Sequence, residues 1–407
     1  MVLSGSKPKF IFSSVLFFVA ILSSNAQNNN HDAFHIAITV DTKTHQYYGS
    51  FQTGTPSHNV NPLIDLGGSL VSLSCNTSSS TLRFVPCKST KCKDLKGVCG
   101  SNGACTLSSY NPIDNSILSG SLSDDIVTIH KTDGTMVYAD TNSTHLDISC
   151  VKSKSFNGIL GLGRTSLSLT TRLSSAFNII PKLALCLPSS NDNGFGDLFI
   201  GPGPYMFEGG ADASDWLQQT GLVRSSKSDE YFVDVKSVKI DKRIVHIDSS
   251  LLSLNSETGV GGTKITTTAP YGILHSSIYK AVVGAFAKSA AARNITRVAA
   301  VKPFNACFSV KGVHWTELGP RVPLIALELS GRMGSVSWKI NGANSMVRVN
   351  KNTLCLGFVD GGLKAKTSIV LGGLQLEDNF LVFDLSTSIL GFSSSLKPGT
   401  CSHFRNF

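Results

Sequence analysis

The stretch LIDLGGSLVSLSC (residues 63–75) shows how this chain folds. A short apolar run delivers Asp65 into a tight turn at Gly67 and Gly68, and a second apolar run follows. This pattern predicts a buried strand that presents a carboxylate at its end. Asp65 is therefore a candidate for one half of a catalytic pair, or for what remains of one.

Short runs rich in Val, Ile, Thr, Phe and Tyr fill most of the chain and alternate with clusters of Gly, Pro, Asn and Ser. Such runs predict strands, for example at 125–130, 197–201, 231–240 and 335–340. The clearest helical pattern is SIYKAVVGAFAKSAAAR (277–293), whose apolar residues recur at three- and four-residue spacing. The sequence predicts an all-β protein of two sandwich- or barrel-like lobes.

Some of these elements recur in the same order in the two halves of the chain. YYGSFQTGTP (47–56) resembles YFVDVKSVKI (231–240), and FNGILGLGR (156–164) has a counterpart in SIVLGGLQL (368–376). In the second pair, an apolar strand runs into glycines, where backbones can approach closely. The repeated order predicts a duplicated lobe. We expect lobes at 27–220 and 221–407, with the boundary in the polar stretch 215–230.

The first 26 residues have the features of a secretory signal peptide. Lys7 and Lys9 precede the apolar run 10–22, and the segment ends on small residues at Ala26. No later stretch approaches the length of a membrane helix, so we expect a secreted protein with no membrane partner. The formal charge is +9, or +7 without the two lysines, which favours acidic surfaces or an acidic protein partner. Scattered basic residues and export argue against nucleic acid.

Ten cysteines lie in the mature part of the chain, which suits an oxidising compartment. Four of them form a cluster at Cys87, Cys92, Cys99 and Cys105. Because their spacing is irregular and no histidine is interleaved, disulfides are favoured over a zinc site. We predict neither a metal nor another cofactor. Sequons for glycosylation stand at Asn76, Asn142 and Asn294.

The strand-Asp-Gly turn, GILGLG (158–163) and the C-terminal IVLGG and FDLSTSILGF (369–392) together resemble a pepsin-type aspartic peptidase. Longer stretches are similar to its plant branch, which includes extracellular dermal glycoprotein, cereal xylanase inhibitors and legume basic globulins. These stretches are GGTKITTTAPYGILHSSIYKAV (261–282) and TSIVLGGLQLEDN (367–379). The resemblance covers nearly all of the mature chain. It implies a bilobal pepsin-like fold, with two duplicated β lobes around a central cleft.

The resemblance also defines what a catalytic centre needs. Aspartic peptidases use two carboxylates that share a proton, one from an Asp-Thr/Ser-Gly turn in each lobe. Here the first turn keeps Asp65 but has leucine in place of the bracing hydroxyl. The second turn falls on Thr266, within a stretch (258–316) that has no acidic residue, and Pro112 stands where active relatives carry a flap tyrosine. These departures predict a pseudo-peptidase in which Asp65 is a remnant.

The cysteine pairing is not determined by the sequence alone, but the resemblance implies one. The implied pairs are Cys75–Cys150, Cys87–Cys105, Cys92–Cys99, Cys186–Cys401 and Cys307–Cys355. All ten cysteines are then paired. Cys186–Cys401 ties the C-terminus to the end of the first half, and such long-range links restrict the unfolded chain most.

A bilobal protein without a catalytic pair can still bind a partner through its loops. The resemblance implies inhibition of secreted microbial glycoside hydrolases that degrade plant cell walls, such as xylanase or xyloglucan-specific endoglucanase. Those enzymes work with two carboxylates in an open cleft, where a basic side chain on a rigid loop can pair with one of them. The implied inhibitory loops are 311–323, with Glu317 and Arg321, and 395–401, with Lys397. Glu317 stands where some inhibitory relatives have an arginine, and a target's own carboxylates repel it.

Two alternatives stay open at this point. One is residual aspartic endopeptidase activity. The other is a non-catalytic extracellular glycoprotein of the apoplast that binds a peptide or another ligand in the relic cleft. Both keep the predicted fold and export, so activity and binding measurements separate them from an inhibitor.

Overall fold

The structure, a computed structural model, describes residues 1, 2, 5, 33–75, 77–153, 156–190, 194–206, 212–332, 334–394, 396 and 401. Apart from Met1, Val2 and Gly5, the predicted signal peptide lies outside the described residues. Residues 31–407 form one compact unit, to which all of the elements below belong. Within the described ranges, no helix is both long enough and apolar enough to cross a membrane.

The first half of the chain is built mainly from strands. In chain order they are Ala33–Asp41 (β1), Gln46–Thr53 (β2), His58–Val60 (β3), Leu63–Asp65 (β4), Ser72–Leu73 (β5), Arg83–Phe84 (β6), Val98–Cys99 (β7), Cys105–Tyr110 (β8), Ile117–Thr132 (β9), Val137–Val151 (β10), Ile159–Gly161 (β11), Lys182–Cys186 (β12) and Gly196–Ile200 (β13). Two helices lie among them, Thr90–Asp94 (α1) and Leu169–Phe177 (α2).

The second half is also mainly β structure. Its strands are Gln218–Ser225 (β14), Ser228–Val233 (β15), Val235–Ile240 (β16), Arg243–Ile244 (β17), Thr263–Ile265 (β18), Gly272–Leu274 (β19), Arg297–Val298 (β20), Cys307–Ser309 (β21), Trp315–Thr316 (β22), Gly319–Pro320 (β23), Ile325–Gly331 (β24), Gly334–Ile340 (β25), Met346–Asn350 (β26), Thr353–Leu356 (β27), Phe358–Asp360 (β28), Ile369–Leu371 (β29), Phe380–Asp384 (β30) and Ile389–Phe392 (β31). Its helices are a 3₁₀ turn at Ala213–Trp216, then Ser249–Leu252 (α3), Ser276–Ala291 (α4), Gly342–Ser345 (α5) and Gly373–Leu376 (α6).

Helix α4 confirms the helix predicted at 277–293. Its apolar residues Ile278, Val282 and Phe286 are buried, as the four-residue spacing requires for one face against the core. The helix ends at Ala291 with Ala292 as its C-cap, and Asn294, with a positive φ of 60°, then turns the chain away from the helix axis.

The two halves are joined by a continuous antiparallel sheet. Its strand order is β1, β13, β12, β30, β31, β14. The contact between β12 and β30 pairs residues 182–186 with residues 380–384 and so links the halves directly. The expected lobe boundary after residue 220 falls within β14, and it stays a prediction.

The same strand arrangement occurs once in each half. In the first half, β4 runs parallel to β11 and sets Asp65 beside Gly161, while β11 also pairs with β5. In the second half, β18 runs parallel to β29, which also pairs with β19. Close backbone approach requires glycine here: a Cβ on Gly68 would lie 2.8 Å from the Gly161 Cα. The prediction of an all-β, duplicated architecture is confirmed.

All ten cysteines are in disulfides. The bonds are Cys75–Cys150, Cys87–Cys99, Cys92–Cys105, Cys186–Cys401 and Cys307–Cys355. The expected Cys87–Cys105 and Cys92–Cys99 pairs are therefore wrong. The physical reason is burial: α1 turns Cys92 into a small core where Cys105 is also fully buried, whereas Cys99 is exposed and bonds the half-buried Cys87. Since all four sulfurs are used, this cluster has no thiolate left for a metal.

Candidate functional site

The two turns that the sequence singles out meet in one cleft. Asp65 ends β4 and Thr266 directly follows β18, and both line a cleft of about 900 Å³. Pro112, from the loop between β8 and β9, lines the same cleft. The structure therefore brings together the three positions that the sequence assigns to a degenerate catalytic centre.

A hydroxyl from the second turn braces the first. The Thr267 Oγ1 donates a hydrogen bond to the Ile64 carbonyl at 2.5 Å and accepts one from the Leu66 N–H at 3.3 Å. No reciprocal bond can form, because the buried Leu66 side chain has no hydroxyl. Since Thr267 holds the bracing position, Thr266 stands at the position before it, where a catalytic carboxylate would be.

Asp65 is a buried carboxylate with an altered titration. Its side chain is 6% exposed, and its Oδ1 accepts a hydrogen bond from the Gly67 N–H at 2.8 Å. Burial raises the pKa of Asp65 to about 6; the Glu230 carboxylate adds to this, while the Gly67 N–H and Lys264 oppose it. Asp65 is therefore a weak acid that changes charge near pH 6.

Thr266 cannot replace the missing carboxylate. Its Oγ1 lies 3.0 Å from the Thr268 Oγ1 and accepts a hydrogen bond from the Thr268 N–H at 3.3 Å. These contacts are local to the turn and reproduce the backbone geometry that a turn aspartate supports. A threonine hydroxyl does not ionise near neutral pH, so it cannot serve as a general base.

The cleft also contains two charged residues that no motif of the sequence marks, Glu230 and Lys264. The Lys264 Nζ donates to the Glu230 Oε1 at 2.7 Å, and the Ser228 hydroxyl donates to Oε2 at 2.8 Å. They are distant in sequence but meet because β15 and β18 pair with Phe232 opposite Lys264, which sets residue 230 diagonally across on the same face. The available signal was strand pairing, since neither residue lies in a motif.

The hairpin of β8 and β9 covers the position of the expected flap. Pro112 lies in its loop, and Tyr110, at the end of β8, also lines the cleft. The Tyr110 hydroxyl donates a hydrogen bond to the Asn115 side chain of the same loop. An aromatic ring thus does line the cleft, but it lies two residues before the expected flap position. Its hydroxyl is hydrogen-bonded within the hairpin.

The first of the two expected inhibitory loops is a tight hairpin of β22 and β23. Glu317 lies at its exposed tip and Arg321 is exposed after β23, where its N–H donates to the His314 carbonyl at 2.8 Å. Trp315 is 51% exposed, and the Arg348 guanidinium lies 5.7 Å from the centre of its ring. This cation–π contact fixes an exposed aromatic side chain on a short hairpin.

The other expected site residues are distributed as follows. Lys397 and Asn76 lie outside the described residues. Asn142 is half-buried within β10, and Asn294 is exposed just after α4. Glycosylation at these asparagines stays a prediction.

Fold and centre together define a homologue of the pepsin-like aspartic proteinases. The family described as "Xylanase inhibitor N-terminal" matches residues 47–202, and "Xylanase inhibitor C-terminal" matches residues 230–394. The chain belongs to this xylanase-inhibitor family.

Among curated relatives, "Probable aspartic proteinase GIP2" of Nicotiana benthamiana is 38% identical, over 97% of this chain and 96% of its own. "Gamma conglutin 1" of Prunus dulcis is 32% identical, over 97% of each chain. Among solved structures, "Crystal structure of edgp" superposes with a TM-score of 0.84 at 38% identity and covers 92% of this chain and 98% of that one. The structure of basic 7S globulin from soybean has a TM-score of 0.77 at 28% identity, with coverage of 92% and 98%.

Proposed function

We propose that this protein is a secreted, catalytically inactive member of its family that inhibits microbial cell-wall-degrading glycoside hydrolases in plant defence. The observation that carries the proposal is the degenerate centre, in which Asp65 faces a threonine turn. A pepsin-type mechanism needs one ionised and one protonated carboxylate in close contact. With one of them replaced by Thr266, the cleft has lost that pair while the fold around it is intact.

Glu230 does not restore the pair. Although it lies in the cleft near Asp65, one of its oxygens is bound by Lys264 and the other by the Ser228 hydroxyl. Both oxygens of Glu230 thus already accept hydrogen bonds from side chains other than Asp65. The endopeptidase alternative therefore has a second carboxylate in the cleft, but the oxygens of that carboxylate are engaged by Lys264 and Ser228.

The hairpin of β22 and β23 supports an inhibitory role. Tryptophan and arginine are the side chains that most often dominate binding energy at protein interfaces. Trp315 of β22 with Arg348 of β26 beside it offers such a pair, and Arg321 adds a second exposed cation. The cations of this surface suit the cleft of a glycoside hydrolase, which has two carboxylates. Glu317 is the one charge on the hairpin tip that opposes such a target.

The second inhibitory loop is proposed at 395–401. Cys401 is buried and bonded to Cys186, and Lys397 stands four residues before it. A cation on a loop fixed at one end loses little entropy on binding. The five disulfides also support export, because such bonds persist in oxidising compartments. We therefore keep the signal peptide at 1–26 and the lobes at 27–220 and 221–407 as part of the proposal.

The test is a panel of secreted fungal xylanases and endoglucanases assayed with micromolar purified protein. We expect at least one enzyme to be inhibited. Trp315→Ala and Lys397→Ala should each weaken inhibition about 30-fold or more, since an interface anchor contributes about 2 kcal/mol or more. Glu317→Arg should strengthen it.

Trp216 supplies a matched control, because it is another tryptophan with a similar exposure, 42%. Trp216→Ala should leave the inhibition constant unchanged. Inhibition of no enzyme in the panel would contradict the proposed function. Equal effects of the Trp315 and Trp216 substitutions would instead contradict the assignment of the hairpin.

A further inference from the structure

The floor and the rim of the cleft differ in hydrogen-bonding character. Asp65 and Gln46 line the floor, and each is only 6% exposed. Lys227 and Lys366 line the cleft from exposed positions at the rim. The floor therefore presents buried hydrogen-bond acceptors, whereas the lysine ammonium groups at the rim are exposed to solvent.

Gln46 has an acceptor that the protein does not use. Its Nε2 donates to the Thr268 carbonyl at 3.2 Å, which fixes the amide orientation, since the reverse orientation would place two oxygens together. Its Oε1 is buried and has no hydrogen-bond partner among the residues that the structure describes. A buried acceptor without a partner is unfavourable, and a small shift of the Gln46 side chain toward the cleft would let a donor on a ligand satisfy it.

Asp65 is the carboxylate of the floor that forms no ion pair within the described residues, although Lys264 lies near enough to lower its pKa. The neighbouring Glu230 is paired with Lys264 at 2.7 Å. No lysine, arginine or histidine within the described ranges forms an ion pair with Asp65. When Asp65 ionises, a negative charge is thus left partly desolvated beside an open cavity, and such a charge attracts a cation strongly.

We propose that the floor of this cleft binds an organic ligand with a cationic head, an amidinium, guanidinium or primary ammonium group, which pairs with Asp65. After a small shift of its side chain, Gln46 accepts a hydrogen bond from another N–H of the same cationic head. Ile113, Ile159 and Val370 line the cleft and provide apolar walls for the body of the ligand. A cavity of about 900 Å³ is ample for a small organic molecule. The site is separate from the hairpin at 315–320, so it does not depend on the proposed inhibition.

The charge on Asp65 gives the site a definite pH dependence. Burial holds the pKa of Asp65 at about 6, and Glu230 and Lys264 face it with opposing effects. At the rim, Lys227 and Lys366 add positive charge, and burial followed by Glu230 raises the pKa of Asp229. Because a cation favours ionised Asp65, affinity should rise about tenfold from pH 5 to pH 7, and binding at pH 6 should release about half a proton per ligand.

Benzamidine is a suitable probe, and benzamide is its matched neutral control. We expect calorimetry of the full-length secreted protein to show benzamidine binding that is about tenfold tighter at pH 7 than at pH 5. Benzamide should bind at least tenfold more weakly. At pH 6, the apparent enthalpy should differ between buffers of different ionisation enthalpy, because a proton is released.

Variants locate the site. Asp65→Asn should weaken benzamidine binding at least tenfold at pH 7 and remove both the pH dependence and the proton release. Gln46→Leu should weaken binding a few-fold, and Asp229→Asn at the rim should leave the pH dependence intact. Absence of wild-type binding at millimolar benzamidine, or equal binding of benzamide, would overturn the proposal. Unchanged binding by Asp65→Asn would do so too, and if that variant does not fold, the wild-type pH and buffer tests still decide.

Discussion

The two turns at the centre of the molecule have lost opposite parts of the same motif. The turn after β4 keeps its carboxylate, Asp65, but has Leu66 where a bracing hydroxyl belongs. The turn after β18 has Thr266 in place of the carboxylate but keeps the hydroxyl, since Thr267 bonds to the backbone on either side of Asp65. The first turn therefore keeps the carboxylate of the motif, and the second keeps its structural hydroxyl.

The difference shows which parts of the centre the fold needs. The hydroxyl of Thr267 connects the two halves through buried backbone groups, and losing it would leave a carbonyl and an N–H unpaired. Asp65 is different, because burial makes its charged form unfavourable and the fold gains nothing from its ionisation. Because ionising Asp65 costs free energy in the folded protein, we expect this residue to have a binding function and not a structural one.

The largest effect that tests this comparison concerns Asp65 and pH. Since the folded pKa of about 6 exceeds the usual 3.8, the folded state holds this proton more tightly than the unfolded state. The resulting stability is fully present below about pH 4 and is lost as pH rises through 6, for a total of about 3 kcal/mol. Asp65→Asn cannot ionise, so its unfolding free energy relative to the wild type should rise by about 2–3 kcal/mol between pH 4 and pH 7. Urea unfolding with intact disulfides at both pH values measures this.

Glu377 serves as the reference for that experiment. It is buried, accepts a hydrogen bond from the Tyr47 hydroxyl at 2.8 Å, and burial raises its pKa to about 7. Its contribution to the free energy of unfolding has the same sign as that of Asp65 but is lost between about pH 4.5 and pH 7. Glu377→Gln should therefore also flatten the pH dependence, with its midpoint nearer pH 7. If the unfolding free energy of Asp65→Asn has the same pH dependence as that of the wild type, while that of Glu377→Gln does not, then burial does not raise the pKa of Asp65.

The next effect compares Thr267 with Thr266 directly. Thr267→Val keeps the shape but leaves the Ile64 carbonyl and the Leu66 N–H without their partner, which should cost about 2 kcal/mol of unfolding free energy. Thr266→Val removes only contacts within its own turn at the cleft surface and should cost less than about 1 kcal/mol. Both are read from urea unfolding at pH 7. Equal losses would mean that the brace between the halves is not what Thr267 provides.

The sequence predicted the features that depend on local pattern. The strand that ends at Asp65, the duplicated arrangement and α4 all follow from short-range periodicity and glycine placement. It missed Glu230 and Lys264, because their contact requires the register between β15 and β18. Also missed was the contact of Trp315 with Arg348, because these residues lie on separate strands of the second half.

The clustered cysteines show the same limit on a smaller scale. Four cysteines within nineteen positions, 87–105, allow several pairings, and family resemblance pointed to the wrong one. The pairing depends on α1, a five-residue helix whose inward face buries Cys92 against Cys105. Burial of one side chain in so short a helix depends on the loops around it, so the sequence pattern alone could not give it.

The last prediction is that Asp65→Ala has no effect on peptide hydrolysis, and it tests whether the cleft is catalytic. Quenched peptides incubated between pH 3 and pH 7 should be hydrolysed at the same background rate by the wild type and by Asp65→Ala. The reason is that activation of water requires a second carboxylate to share the proton, whereas Thr266 offers a hydroxyl and Glu230 is bound by Lys264 and Ser228. A pepstatin-sensitive rate present in the wild type and absent from Asp65→Ala would reverse this conclusion. Glu230→Gln would then show whether Glu230 is the partner, because its loss would abolish the same rate; a rate that survives Glu230→Gln would require a donor from outside the two turns.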